Sequence, residues 1–197
     1  KMSKSLKNVV SPDAIIEKYG TDTLRLHEMY MSDFKDSAPW NTEAIIGVHR
    51  FLEKVWKNFA EEPKFAEDDM RAMKTLHKTI KKVGEDLENY KFNTAISALM
   101  IAINGGLPQD SDMQKDWKEG FLLLLHPFAP HIAEQLWSLL QSPHPNPLPE
   151  GEGDNKTPIS TREEGLGVRS IYEASWPEFH DFMIMDDEVT IAIQVNG

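Results

Sequence analysis

The sequence predicts a mainly α-helical protein: an antiparallel helix bundle followed by one short terminal β element. Three observations carry this. Between Asn41 and Leu140 apolar residues recur at spacings of three and four, one stripe per segment. The connections between these segments are short, so consecutive helices reverse direction. Alternation at period two occurs at the far end, over Val189–Val195. The 197 residues are 40% hydrophobic and 27% charged, enough for a folded core and unlike a disordered chain. With 21 basic against 32 acidic residues the net charge is −11, which excludes a uniformly basic nucleic-acid binder but leaves room for a local basic patch. The absence of cysteine removes disulfides, thiolate catalysis and cysteine-ligated zinc.

Each element follows in order. Pro12 stands at a helix start, Ala14–Tyr19 continues it and Gly20 ends it. Thr21 or Asp22 can cap a second helix over Thr23–Met31, with Leu24, Met29 and Tyr30 as packing residues. Pro39 breaks the chain, because a residue preceding proline avoids helical geometry. Asn41 or Thr42 caps a third helix, whose Val48, Leu52, Val55 and Phe59 share one face while Arg50, Lys54 and Lys57 share the opposite one. A fourth segment, Asp68–Tyr90, carries Met73, Leu76, Ile80, Val83 and Leu87 as a seam for another helix; Lys74, Lys78, Lys81 and Lys82 lie off that seam. Phe92–Ile103 is a fifth helix, stopped by Asn104-Gly105-Gly106. Asp116–His126 is a sixth, and Pro130 restarts a seventh through Leu140 as a first-turn proline. Trp56 and Trp137 are placed in the core.

Ser142–Val168 is different in kind. It holds five of the 12 prolines and few large apolar residues, so it reads as an exposed, disordered insertion. The chain therefore divides into residues 1–40, a helical bundle over 41–188 interrupted by 142–168, and the start of a further, truncated unit at 189–197. It opens on Lys1, inside a motif, which points to a piece of a longer polypeptide.

That motif, Lys1-Met2-Ser3-Lys4-Ser5, suits one chemistry. When a carboxylate attacks the α-phosphate of ATP, negative charge builds on phosphate oxygens and on departing pyrophosphate. Flexible lysines follow a moving charge, while hydroxyls and backbone N–H groups hold the phosphates. The pentapeptide resembles the signature loop of class I aminoacyl-tRNA synthetases. Its continuation, LKNVVSPDAIIEKYGTDTLRL, resembles the branch that charges leucine, isoleucine and valine. SAPWNTEAIIGVHRFLEKVWK, FNTAISALM, LHPFAPHIAEQLW and QVNG resemble the leucyl-tRNA synthetases in particular, in the right order.

The resemblance implies the end of a catalytic domain followed by the class I anticodon-binding helical domain. It implies an ATP-dependent leucine–tRNA ligase with Lys1 and Lys4 as catalytic residues and Lys4, Ser3 and Ser5 at ATP. Lys4 would supply about 2.7–4 kcal/mol, by analogy with one oxyanion-hole donor. ATP enters as substrate with Mg2+ in the whole enzyme, and no metal site is expected in this stretch. The partners implied are tRNA-Leu, with leucine and ATP reaching a catalytic domain that is not here; a cytoplasmic monomer without a membrane partner is expected. No HIGH-like motif occurs among the seven histidines, so this stretch alone is expected to be inactive.

Other readings remain open on the residues themselves. Arg50, Lys54, Lys57, Lys74, Lys78, Lys81 and Lys82 are candidate tRNA contacts, read against solvated helix faces paired with Glu53, Glu85 or Asp86. His126, His131 and Glu134 have a metal-like spacing but read as structural residues. A stand-alone tRNA-binding module without catalysis is the alternative function, and a purely structural helical interaction module the third.

Overall fold

A computed structural model of the chain describes residues 9–141 and 170–185. The signature pentapeptide, the 142–168 insertion and the terminal strand over 189–195 lie outside the described residues. The fold begins with two short helices, α1 (Pro12–Tyr19) and α2 (Thr21–Tyr30), joined by an elbow at Gly20, whose φ of +86° suits a residue without Cβ. Then come α3 (Ala44–Trp56), a π-helical turn (Lys57–Glu61), α4 (Asp69–Glu88), α5 (Phe92–Gly105), α6 (Ser111–Leu125) and α7 (Pro130–Gln141). A 3-10 turn (Ile171–Glu173) and a last short helix, α8 (Asp181–Ile184), complete the described part.

The seam read from spacing is the core. Met73, Leu76, Ile80 and Val83 of α4 are buried, and among the described helices α4 makes its most extensive contact with α5. Ala95, Ile96, Leu99 and Ile103 of α5 are wholly buried beside Trp117, Phe121, Leu122 and Phe128. Each large apolar side chain taken fully out of water contributes about 1.5–3 kcal/mol, so this layer dominates stability. Gly120 sets the approach of α6 to α4, because a Cβ there would lie 3.3 Å from Leu76. Trp137 joins the core, whereas Trp56 is only half-buried and borders a surface cleft.

Several boundaries move, each for a capping reason. α6 starts at Ser111 rather than Asp116, because the Asp110 carboxylate accepts the N–H groups of Asp112 and Met113. Ahead of α3, Asn41 Oδ1 accepts from Glu43 and Ala44 N–H, while Thr42 instead accepts from the Trp40 indole. The third helix does not stay α-helical to Phe59. It widens into the π turn, held by buried Asn58, whose amide donates to Lys54 O and accepts from Lys64 N–H. In α2 the expected packing residue Tyr30 is exposed, while Leu26, one turn earlier on the same face, is wholly buried; Leu24 and Met29 pack inward.

Two reversals close the bundle. At the end of α4, Lys91 N–H reaches Asp86 O and Tyr90 N–H reaches Leu87 O, a helix-ending pair that puts Tyr90 at φ +58°. After α5, Gly106 takes φ +93° and Leu107 pairs with the strand-like stretch before α4: Ala66 N–H donates to Leu107 O and Leu107 N–H to Lys64 O, both at 2.8 Å. A Cβ at Gly106 would stand 2.8 Å from Ala66 N, so the pairing requires glycine.

Candidate functional site

The residues that follow the signature are attached to the bundle through α2. Asp22 does not cap its own helix. Its buried carboxylate reaches across to α7, accepting Ile132 N–H at 2.8 Å and bonding His131 Nδ1 at 2.7 Å. The first turn of a helix has N–H groups without internal acceptors and a partial positive charge, which is where a carboxylate is stabilised. One turn further along α2, Arg25 donates to the carbonyls of Pro127 and Phe128, in the link between α6 and α7. An acid on amides and a base on carbonyls thus fix α2 to the same corner. Thr23 Oγ1 meets His49 Nδ1 at 3.3 Å on α3, and Leu26 sits in the main core.

Beside this joint lies a cleft of about 740 Å³ between the α1–α2 elbow, α3, the π turn and α7. Tyr19, Leu52, Trp56 and Ile132 form its apolar surfaces, and Asp22, Glu53 and Glu61 outnumber Lys57 among its charges. His27, next to the joint, is fully enclosed, with neither ring nitrogen hydrogen-bonded and its ring edge-on to Trp40 at 4.9 Å. Burial pushes its pKa below the ordinary 6.5.

Lys1, Ser3, Lys4 and Ser5 lie outside the described residues. Of the first basic row, Arg50 is exposed, Lys54 donates to Asn104 Oδ1 at the end of α5, and Lys57 pairs with Glu62 at 3.2 Å. In the second row Lys82 is held by buried Asp86 at 2.7 Å, a carboxylate that also accepts Thr94 Oγ1. Lys81 lies over the Phe179 ring at 5.6 Å, and Lys74 and Lys78 also have partners. Lys82–Asp86 is the ion pairing expected of a solvated helix face, and Lys74 and Lys78 are not free either.

His126, His131 and Glu134 go to different partners: His126 stands edge-on to Tyr172, His131 bonds Asp22, and Glu134 accepts Ile171 N–H at 3.0 Å. Among the described residues no group of three or more His, Asp or Glu is placed to hold a metal ion. None of the helices among them is long and apolar enough to cross a membrane. Sequence reasoning missed Asp22 as a cap in trans, Arg25 on α2, and Lys64, which shares Asn104 with Lys54. An Asp at a helix start signals a cap but not which helix it caps.

Comparison with known proteins agrees with this architecture. Residues 69–197 match the family described as the anticodon-binding domain of tRNA ligase, and residues 1–40 match class I tRNA synthetases of the I, L, M and V group. Leucine–tRNA ligase of Borrelia hermsii is 41% identical over 198 residues, and that of Borreliella burgdorferi strain ZS7 is 42% identical over 199. Both alignments cover 100% of this chain and 20% of the relative, so the chain spans about a fifth of the length of these proteins. A crystal structure of the ternary complex of Agrobacterium radiobacter K84 agnB2 LeuRS with tRNA and LeuAMS shares the fold, with a TM-score of 0.66 at 23% identity over 94% of this chain and 23% of that one. A helical bundle that matches over 69–197, preceded by a class I segment docked on it through Asp22 and Arg25, places the chain in the family of tRNA-ligase anticodon-binding domains.

Proposed function

We propose that the chain is the signature-loop and anticodon-binding portion of an ATP-dependent leucine–tRNA ligase, acting in the cytoplasm. The observation that carries this is the unbroken likeness, across the whole chain, to proteins named leucine–tRNA ligase. In the reaction the leucine carboxylate attacks the α-phosphate of ATP, and pyrophosphate leaves. Lys4, with Lys1, neutralises the charge that develops on the phosphate oxygens; Ser3, Ser5 and backbone N–H groups hold the polyphosphate. ATP enters with Mg2+ as substrate. The bundle docks tRNA-Leu through its shape and through backbone contacts from the lysine rows of α3 and α4. The joint at Asp22 and Arg25 supports a mechanical role: it links the bundle that receives tRNA to the segment that carries the loop.

The test uses the complete polypeptide with Lys4→Ala. ATP–pyrophosphate exchange is expected to fall about 10²–10³-fold, the loss typical of one preorganised donor to a developing oxyanion. Undiminished exchange would refute the catalytic assignment. The 197-residue chain alone is expected to make no leucyl-adenylate while still binding tRNA-Leu in a salt-dependent manner.

A further inference from the structure

The last described stretch runs antiparallel along α4 as a strap. One end is fixed where Glu134 accepts Ile171 N–H at 3.0 Å and the Ile171 side chain is buried. The other end is α8, whose Met183 is buried in the main core. Between them the strap meets residues 84, 81 and 77, which share one face of α4. Trp176 stands against Gly84, where a Cβ would lie 3.8 Å from the indole Nε1. The Phe179 ring lies 5.6 Å from the Lys81 ammonium. His180 packs its ring on that of His77, with centroids 5.2 Å apart. Trp176, Phe179 and Phe182 nevertheless stay exposed, so little apolar burial holds the strap down.

Among the described residues one hydrogen bond joins the strap to α4: His180 N–H donates to His77 Nδ1 at 3.3 Å. Accepting there requires the neutral ring with its proton on Nε2. A proton taken up by His77 goes to Nδ1, the accepting atom. It removes the acceptor and sets two N–H groups against each other. Where His180 is charged as well, two imidazolium rings repel.

Burial already disfavours the charged form of His77, and the neighbouring His180 adds to this. The other charges around it are spent elsewhere or lie in water. α5 carries no ionisable residue. On α6, Lys118 turns to Phe59 O and Glu119 to Lys115, while Asp112 and Asp116 are exposed. Glu178 and Asp181 of the strap are exposed too. On α4 itself Lys81 lies over Phe179, and Lys74 and Lys78 have partners.

We infer that residues 174–183 form a proton-released latch, which lies on α4 while His77 is neutral and lifts away when His77 Nδ1 takes up a proton. Its release bares Met183 and frees Lys81 from Phe179.

The experiment is amide hydrogen exchange of the full chain at pH 7.5 and 5.5, corrected for the intrinsic pH dependence of exchange. Opening at His180 should rise by up to about tenfold, since pH 5.5 lies one unit below the ordinary histidine value of 6.5. Leu99, wholly buried in α5, should stay the more protected residue at both pH values, which marks the opening as local. His77→Asn keeps a neutral acceptor and should leave His180 protected with no response to pH. His77→Phe, which has no acceptor, should leave His180 open at both values. His27→Phe removes a buried histidine away from the latch and should leave the His180 response intact. An opening at His180 that does not change between the two pH values, or a response that persists in His77→Asn, would overturn the latch. Equal protection at His180 and Leu99 would mean unfolding of the whole bundle and would overturn it as well.

Discussion

Replacing Asp22 tests the joint between the class I segment and the bundle. Its carboxylate is buried, and it accepts Ile132 N–H at 2.8 Å in the first turn of α7. A hydrogen bond to an ionised group contributes about 1.5–3 kcal/mol, and placement at a helix N-terminus about 0.3–1 kcal/mol more. The contact with His131 adds less than about 1 kcal/mol, because that side chain is 71% exposed and water screens it. Asp22→Ala should therefore cost about 2–4 kcal/mol. For a chain of this size each kcal/mol lowers the melting temperature by about 2–4 °C, giving a drop of about 4–16 °C. Asp22→Asn keeps an acceptor oxygen but not the charge, and should cost about half as much. Thermal unfolding followed by circular dichroism reads both, and hydrogen exchange at Ile132 reports the cap directly. An alanine variant melting within 1 °C of the unaltered chain would refute the argument.

Gly106→Ala should destabilise by about 2 kcal/mol or more, since φ is +93° and the new Cβ would meet Phe65 and Ala66 backbone at 2.8 Å; a urea titration that leaves the midpoint in place would count against it. His27 gives a pH dependence. Its folded pKa lies below 6.5, so below that pH the unfolded chain takes up a proton that the folded chain does not. Stability is therefore full above about pH 6.5 and falls as pH drops toward the folded value. His77 and His126, also lowered by burial, act in the same direction. Urea midpoints at pH 7.5 and 5.5 should differ in that sense, and His27→Phe should reduce the difference; a slope unchanged by that substitution would contradict the role of His27.

The family was legible before any coordinates because its signal lies in contiguous runs such as KMSKS and LHPFAPHIAEQLW. So was the α4–α5 seam, because helical spacing is a local property and the buried face follows from it: Met73, Leu76, Ile80 and Val83 are buried as their spacing requires. Boundaries were less legible. The apolar pattern of α6 begins at Trp117 and so points to a start near Asp116, whereas the helix begins where Asp110 satisfies its first amides.

The sequence by itself determined the helical class, the order of the elements, the seam that drives them together and the family signature, since each is written in neighbouring residues. Only the tertiary structure decided which separate faces meet. Asp22 finds its partner 110 residues away on α7, and Lys54 meets Lys64 through Asn104. Such pairings depend on how helices cross and rotate, which no spacing within one helix specifies.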